Sequence, residues 1–413
     1  MGAKTEQDLQ RKRAVRAWVV YDWANSAYFT TMVAAVLPIF FVSVPGAHLG
    51  DDAVSYWGFT QSAAMFILVL LSPVLGAVAD VSGSKKKLLV LFMGIGVLST
   101  ALFALVGEGQ IWFAVALTLL GVVGSSGANN FYDALLPSVA APHEQDRISA
   151  RGYAYGYLGG GLLLAVNLLM IQKPEWFGVD SLGGTRLAFL SVALWWLVFS
   201  VPLLRHVPEP RPANSVSAGE SVRLAFVRLG ETMRRVRHYP ELLKYLIGFW
   251  LFSDGIGTII RMATVYGESI GIGQTHLIAA LLITQFVGFP CSLLFGKLAG
   301  RFGAKTSLQI SLAIYVLITV LGFFMTSALH FYLLAVMVGF VQGGSQALAR
   351  SLYIRLIPVG REAEFFGFMS VWNKFAGIVG PAVFGFVNLY ATSRFGILAL
   401  VFFFVSGMVL LGL

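Results

Sequence analysis

Carboxylates, amides and guanidinium groups stand inside four otherwise apolar stretches of this chain. Asp22, Asn25 and Tyr28 fall in the first, Asn129, Asn130 and Asp133 in the second, Asp254, Thr258 and Arg261 in the third, and Gln342, Gln346 and Arg350 in the fourth. Within each set, spacings of three, four or seven put the main members on one face of a helix. Such groups are costly in hydrocarbon and turn towards a bundle interior or an aqueous cavity, so each marks a place where a polar solute or a proton can be handled. Asp254 and Arg261 lie deep in their stretch, and each needs a neutralising partner within the bundle. Asp22 and Asp133 also admit a plainer reading as helix-end residues, within about two turns of a membrane boundary.

The elements that carry these residues are membrane spans. Hydrophobic residues make up 57% of the 413 positions and charged residues 12%, whereas an ordinary globular chain is about a quarter charged. A spanning helix needs roughly 20 mostly apolar residues. Such runs recur at 17–44, 54–79, 88–106, 111–137, 150–171, 186–204, 241–267, 276–296, 306–326, 330–357, 364–391 and 395–413. The expectation is an all-α membrane protein of twelve transmembrane helices. The first run follows cations, as a signal peptide would, but it is too long and has no small-residue cleavage site, so it reads as a retained span.

The net charge of +9 follows topology and does not make a nucleic-acid surface. Cations cluster at Lys4 to Arg16, Lys85 to Lys87, Arg205 to Lys244 and Lys297 to Lys305, all on one side, against Lys173, Arg186 and Arg394 on the other. The positive-inside rule then places both termini and the central loop in the cytoplasm, and the short loops without a large extra domain suit a bacterial inner membrane. The lone cysteine, Cys291, excludes an intrachain disulfide and reads as a packing residue.

Three landmarks repeat at an offset near 220 positions: Gly76 and Gly83 with Gly296 and Gly303, Leu136-Pro137 with Ile357-Pro358, and Gly152 with Gly367. A six-helix repeat returns the chain to its starting side, so the halves 1–205 and 241–413 are parallel repeats related by an axis along the membrane normal. The linker 206–240 opens with HVPEPRP and continues into a basic stretch. There Val222, Phe226, Leu229, Met233 and Val236 form an apolar stripe and Arg223, Arg228, Arg234, Arg235 and Arg237 lie mainly off it, as in a helix resting on the cytoplasmic leaflet.

Between spans 2 and 3 stands Gly76-Ala77-Val78-Ala79-Asp80-Val81-Ser82-Gly83-Ser84-Lys85-Lys86-Lys87, which resembles the signature loop of the major facilitator superfamily. Asp80 at a helix C-terminus needs a cation or another helix's N-terminus, since the dipole disfavours a carboxylate there. Lys85, Lys86, Lys87 or the start of span 11 can supply that partner, making a gate. A tight turn with positive-inside lysines accounts for Gly83 and the cations without gating. The second copy carries Gly300 where the acid stood, so the latch is asymmetric.

Tyr21-Asp22-Trp23-Ala24-Asn25-Ser26-Ala27, Asp254-Gly255, Arg350-Ser351, Leu356-Ile357-Pro358 and Gly360-Arg361-Glu362-Ala363-Glu364-Phe365-Phe366-Gly367 together resemble one branch of that superfamily. This is the family related to the autophagy-associated vacuolar amino-acid effluxers, and the likeness covers essentially the whole chain. It implies the major facilitator fold, a central pathway lined by spans 1, 4, 7 and 10, and efflux of a small solute such as an amino acid. Glu362 and Glu364 read as acids favoured at the start of span 11, while Asn373 and Lys374 lie within it, where an intramembrane lysine must snorkel or pair.

The expected function is secondary active transport by alternating access, with a proton as coupling ion and Asp22, Asp133 or Asp254 as its carrier. No GxxxxGK[ST] loop indicates a nucleotide motor, and Gly159-Gly160-Gly161 reads as close helix packing. No cofactor, metal or nucleic acid is expected, and the chain is expected to act as a monomer among membrane lipids. A lipid or amphiphile flippase on the same fold stays open. A membrane enzyme is disfavoured because the six histidines sit at loops or span edges without metal-ligand spacing. The second half concentrates Arg261, Arg350 and Lys374, which suits an anionic or zwitterionic solute held from that side.

Overall fold

The computed structural model describes residues 2–82, 85–141, 145–208, 218–356, 372 and 375–412. Among the described residues the backbone is helical or in short turns, with no strand. Hydrocarbon supplies no hydrogen bonds, so a spanning segment must satisfy its backbone internally, and a helix does so within one segment. Ten helices among the described residues are long and apolar enough to cross a bilayer. Two shorter apolar helices, Gln274–Gly288 and Val379–Tyr390, stand at the eighth and eleventh positions, which accounts for the twelve expected spans.

Span 1 is Leu9–Ser43, span 2 Asp52–Ser82, span 3 Lys85–Leu102, span 4 Ile111–Ala134, span 5 Gln145–Gln172 and span 6 Ser181–His206. A linker helix, Ala218–Val236, follows. Span 7 is Pro240–Ser269, span 8 Gln274–Phe302, span 9 Ala304–Phe323, span 10 Ala328–Leu356, span 11 Val379–Tyr390 and span 12 Ser393–Gly412.

Three spans depart from the expected uninterrupted runs. Span 4 stops at Ala134, and a separate turn of helix, Leu136–Val139, carries Pro137 near its start, since proline cannot donate to a continuing helix. Span 1 widens into a π-helix over Tyr28–Ala35. Just beyond it, Pro38 has no N–H for the Ala34 carbonyl four residues back, and Thr264 Oγ1 donates to that carbonyl at 2.9 Å. Span 11 was expected as one helix over 364–391, but it turns at Ala376–Ile378, where Gly377 has a φ of 125° that favours glycine.

The chain forms two compact units. The first comprises Met1–Val33, Leu70–Gly107 and Trp112–Ala225. In it span 1 packs on spans 5 and 6, and span 3 on span 6. The second comprises Ala34–Val69, Glu108–Ile111 and Phe226–Leu413. There span 8 packs on span 10, span 7 on span 12, and span 9 on spans 10 and 12. The second unit thus includes the end of span 1 and the start of span 2.

Small residues set the approach of the helices, as they do where lipid gives no hydrophobic drive for association. A methyl group on Gly124 would lie 2.5 Å from the Gly96 backbone nitrogen, and one on Gly159 2.5 Å from the Trp23 carbonyl. Gly161 meets nothing within 4 Å, so close packing explains Gly159 and leaves Gly161 free. Gly159→Ala is expected to lower the melting temperature in detergent, overpacking costing about 1–3 kcal/mol, while Gly161→Ala leaves it unchanged or raised. Scanning fluorimetry of the two variants checks the contrast.

Candidate functional site

In the first unit, span 1 and span 4 bring their polar residues together. Asp22 Oδ2 accepts from Tyr132 Oη at 3.2 Å, and Asp133 lies within electrostatic reach of the same carboxylate. One turn along, Asn25 Nδ2 donates to Asn129 Oδ1. The cluster is held by aromatic packing: Trp18 stacks on Tyr132 at 4.3 Å and donates from Nε1 to its carbonyl at 3.1 Å. Span 5 closes against it at Gly152, where a methyl group would stand 2.5 Å from Asp22 Oδ2. Asn130, next to Asn129 on span 4, is half-buried.

Tyr28 leaves this group. Its ring packs against Trp196 with centroids 5.4 Å apart, and its hydroxyl turns to Ser125, so it joins spans 1, 4 and 6 inside the unit. Trp18 and Tyr132 were not anticipated, since aromatic residues in an apolar run carry no periodic mark that separates a site wall from a core. Asn167 was missed too. It is fully buried in span 5, accepts from Thr31 Oγ1 at 3.1 Å and donates to Ser191 Oγ at 2.6 Å. A lone asparagine in LLLAVNLLM was the available signal.

In the second unit, span 7 presents Asp254, Thr258 and Arg261 along one face to the break in span 11. Asp254 Oδ1 accepts from the Gly377 N–H at 2.9 Å and Oδ2 from the Gly380 N–H at 3.0 Å. The first N–H groups of a helix have no partner in that helix, and here a carboxylate from another span caps them, where the dipole favours negative charge. Thr258 Oγ1 donates to the Asp254 carbonyl at 2.7 Å. Gly380 allows the approach, for a methyl group there would run into Thr258 Oγ1 and Asp254 Oδ1.

Arg261 sits beside this cap. Its Nη1 donates to the Gly257 carbonyl at 3.1 Å, its Nη2 meets Met65 Sδ at 3.8 Å, and its buried Nε has no partner among the described residues. Both terminal nitrogens lie near Gly377, at 3.5 and 3.6 Å from where a Cβ would stand. Among the described residues no carboxylate forms an ion pair with it, although Asp254 acts on it electrostatically. The start of span 2 adds Trp57 Nε1, which donates to the Arg261 carbonyl at 3.0 Å, and Ser62 Oγ, which donates to the Ile378 carbonyl at 2.8 Å.

The four polar stripes were expected to meet at one cavity; in the second unit the wall of the cavity that Gln342 lines does not include Asp254, Thr258 or Arg261. Gln342 lines a separate, mainly apolar cavity of about 90 Å³ with Ile259, Ala263, Thr284 and Phe331. Ile259 and Ala263 occupy the face of span 7 opposite Arg261, because positions two apart on a helix point away from each other. Gln346 is exposed, and Arg350 lies in span 10 with its side chain outside the described residues. Gly76 and Asp80 belong to span 2, again with side chains outside that set, and Gly83, Asn373 and Lys374 fall outside it altogether. Lys85 and Lys86 open span 3, and Lys86 Nζ donates to the Val207 carbonyl at the end of span 6 at 2.8 Å, a cation at a helix C-terminus.

A family model described as "Vacuole effluxer Atg22 like" matches residues 47–413. The chain belongs to this Atg22-like family. It is 37% identical over 401 residues to YxiO of Bacillus subtilis (strain 168), described as an MFS-type transporter, covering 96% of this chain and 93% of that one. It is 23% identical to Autophagy-related protein 22 of Kluyveromyces lactis, over 92% of this chain and 88% of the relative. Among solved structures, the nucleoside transporter NupG superposes with a TM-score of 0.71 at 14% identity, covering 98% of this chain and 99% of NupG. A bacterial homologue of the human lysosomal transporter Spinster gives 0.68 at 14% identity, over 97% and 96% of the two chains. At such identities the likeness establishes the fold, that of the major facilitator transporters. Family membership and the 37% identity to an MFS-type transporter, with the apolar spans, make the Atg22-like protein a multi-pass membrane transporter and not an enzyme.

The two acid sites make different demands on their side chains. Asp254→Ala leaves two backbone N–H groups without an acceptor, at about 1–3 kcal/mol each, and is expected to lower the melting temperature strongly. Asp22→Asn keeps an acceptor for Tyr132 and is expected to change it little. Thermal unfolding of the purified variants in detergent checks both outcomes.

Proposed function

We propose that this Atg22-like transporter exports a small anionic or zwitterionic solute, an amino acid being the first class to test, from the cytoplasm of a bacterial cell by proton-coupled alternating access. The observation that carries the reading is Arg261. Among the described residues its guanidinium is held beside the broken start of span 11 by one backbone carbonyl and a thioether, with Nε unused. Guanidinium binds carboxylate by paired, charge-assisted hydrogen bonds, and a partner brought by the solute would complete its set.

Proton coupling falls to the first unit in this reading. Asp254 is occupied in capping span 11, so its charge serves the fold. Asp22 accepts from a single hydroxyl and has Asp133 nearby, an arrangement in which a proton relieves the repulsion of two carboxylates. Positive-inside loops support cytoplasmic termini. The hydrogen bonds that tie the start of span 2 to spans 7 and 11 close the end of the second unit that bears the loop after span 1. Asn388 Nδ2 adds to them, donating to the Asp51 carbonyl and to Ser55 Oγ at 2.9 Å each. Alternation requires these bonds to break, with Asp80 and Lys85 to Lys87 as the opposing gate.

A second reading has one observation in its favour. The cavity that Gln342 shares with Leu281 and Phe331 is mainly apolar, which suits an amphiphile or a lipid as cargo. Thermal-shift screening of amino acids against lipids, followed by uptake of the hit into proteoliposomes, separates the two. Under the first reading, Arg261→Gln raises the KM for the hit about ten- to hundredfold, the worth of a hydrogen bond to a charged group, and Asp22→Asn removes the response to an imposed pH gradient. Transport that ignores the gradient in the unaltered protein overturns proton coupling, and an unchanged KM in Arg261→Gln overturns the solute site.

A further inference from the structure

The linker helix Ala218–Val236 is the most strongly amphipathic helix among the described residues, and among those residues none of the spans packs substantially against it. At 3.6 residues per turn, Val222, Phe226, Leu229, Met233 and Val236 fall on one pole. Arg223 and Arg234 fall on one flank, Arg228 and Arg235 on the other, and Glu220 and Glu231 on the far pole. Phe226 is 47% exposed, although phenylalanine would be sheltered if the helix packed on protein. Arg223, Arg234 and Arg235 are exposed as well, and Arg235 reaches back to Glu231 at 3.5 Å. Leu224 and Val227, also exposed, break this pattern on the acidic side of the helix.

This is a segregation of three kinds of residue, with acids farthest from the apolar pole and arginines between. A helix lying in the headgroup region places its apolar pole among acyl chains, and flanking arginines extend their stems along the surface to reach phosphates. The two acids then face water, away from like charge. A helix displayed to water alone has no use for the apolar pole. A helix packed on an acidic protein would do equally well with the acids anywhere off the interface, whereas a planar negative surface excludes them from both flanks.

We propose that Ala218–Val236 is a binding surface for anionic phospholipid, docking on the adjacent leaflet through Phe226, Leu229 and Met233 with arginines on both flanks engaging headgroup phosphates. Docking depends on lipid charge. Each arginine near an anionic surface shifts the docked population about fivefold, and salt weakens the effect.

The test uses full-length protein carrying Cys291→Ser, with a nitroxide label at Met233→Cys or at Glu231→Cys. It is reconstituted into vesicles of phosphatidylcholine alone or mixed with phosphatidylglycerol. The expected result is that the label at position 233 is accessible to oxygen and shielded from a water-soluble relaxant, and the label at 231 the reverse. The contrast deepens with phosphatidylglycerol and falls about fivefold for each of Arg228→Gln and Arg234→Gln. Hydrogen exchange of residues 218–236 in the unlabelled protein, slower in the anionic vesicles, guards against a perturbing label. The proposal is overturned if position 233 meets the aqueous relaxant in both membranes. It is equally overturned if 233 is shielded from both reagents, which signals burial against protein, or if the contrast and the exchange are the same with and without phosphatidylglycerol.

Discussion

Hydrocarbon offers no hydrogen bonds, so a break in a spanning helix must be met by another part of the protein. In the second unit that demand falls on the start of span 11, where Gly377 turns the chain and exposes N–H groups that no residue of the same helix can serve. Asp254 serves two of them from span 7. The dipole of span 11 and the carboxylate stabilise each other, and Thr258 ties the same turn of span 7 to its own backbone. Once Asp254 is committed to this cap, Arg261 on the next turns of span 7 stands beside Gly377 with no carboxylate among the described residues hydrogen-bonded to it. The position of the cation follows from the cap.

The first unit treats buried polarity differently. Asp22 and Asp133 share a neighbourhood with Tyr132, and the amides of Asn25 and Asn129 satisfy each other in part. Their support is aromatic, with Trp18 and Tyr21 both packed on Tyr132, and the close approach of span 5 depends on the missing side chain at Gly152. Of the two carboxylate environments, one is fixed by backbone donors and the other by a single phenol. That difference is the physical ground for giving them different roles.

Gates follow the same logic of hydrogen-bond supply. The contacts between the start of span 2 and spans 7 and 11 mostly end on backbone carbonyls, those of Arg261, Ile378 and Asp51. The bond from Thr264 of span 7 to the Ala34 carbonyl of span 1, freed by Pro38, is of the same kind. Such bonds are modest singly in a setting where both partners find alternatives, which suits contacts that form and break in a cycle.

Composition and periodicity alone determined that this chain crosses a membrane about twelve times, and charge asymmetry argued its orientation, because transfer energies act residue by residue and need no partner. The same additive logic picked out Asp22, Asn25, Asn129, Asp254 and Arg261 as buried polar groups. What those groups do depends on pairs, and pairs are set by which helix faces meet. Asp254 became a cap because Gly377 and Gly380, more than a hundred residues away, bring bare N–H groups to it. Gln342 was parted from Arg261 because span 7 shows opposite faces to its cavity and to the break in span 11, and the kink at Gly377 was missed although Gly377 and Gly380-Pro381 punctuate a run that also carries Asn373 and Lys374. Local energies are legible in a sequence, whereas the matching of a donor on one helix to an acceptor on another is decided only when the bundle closes.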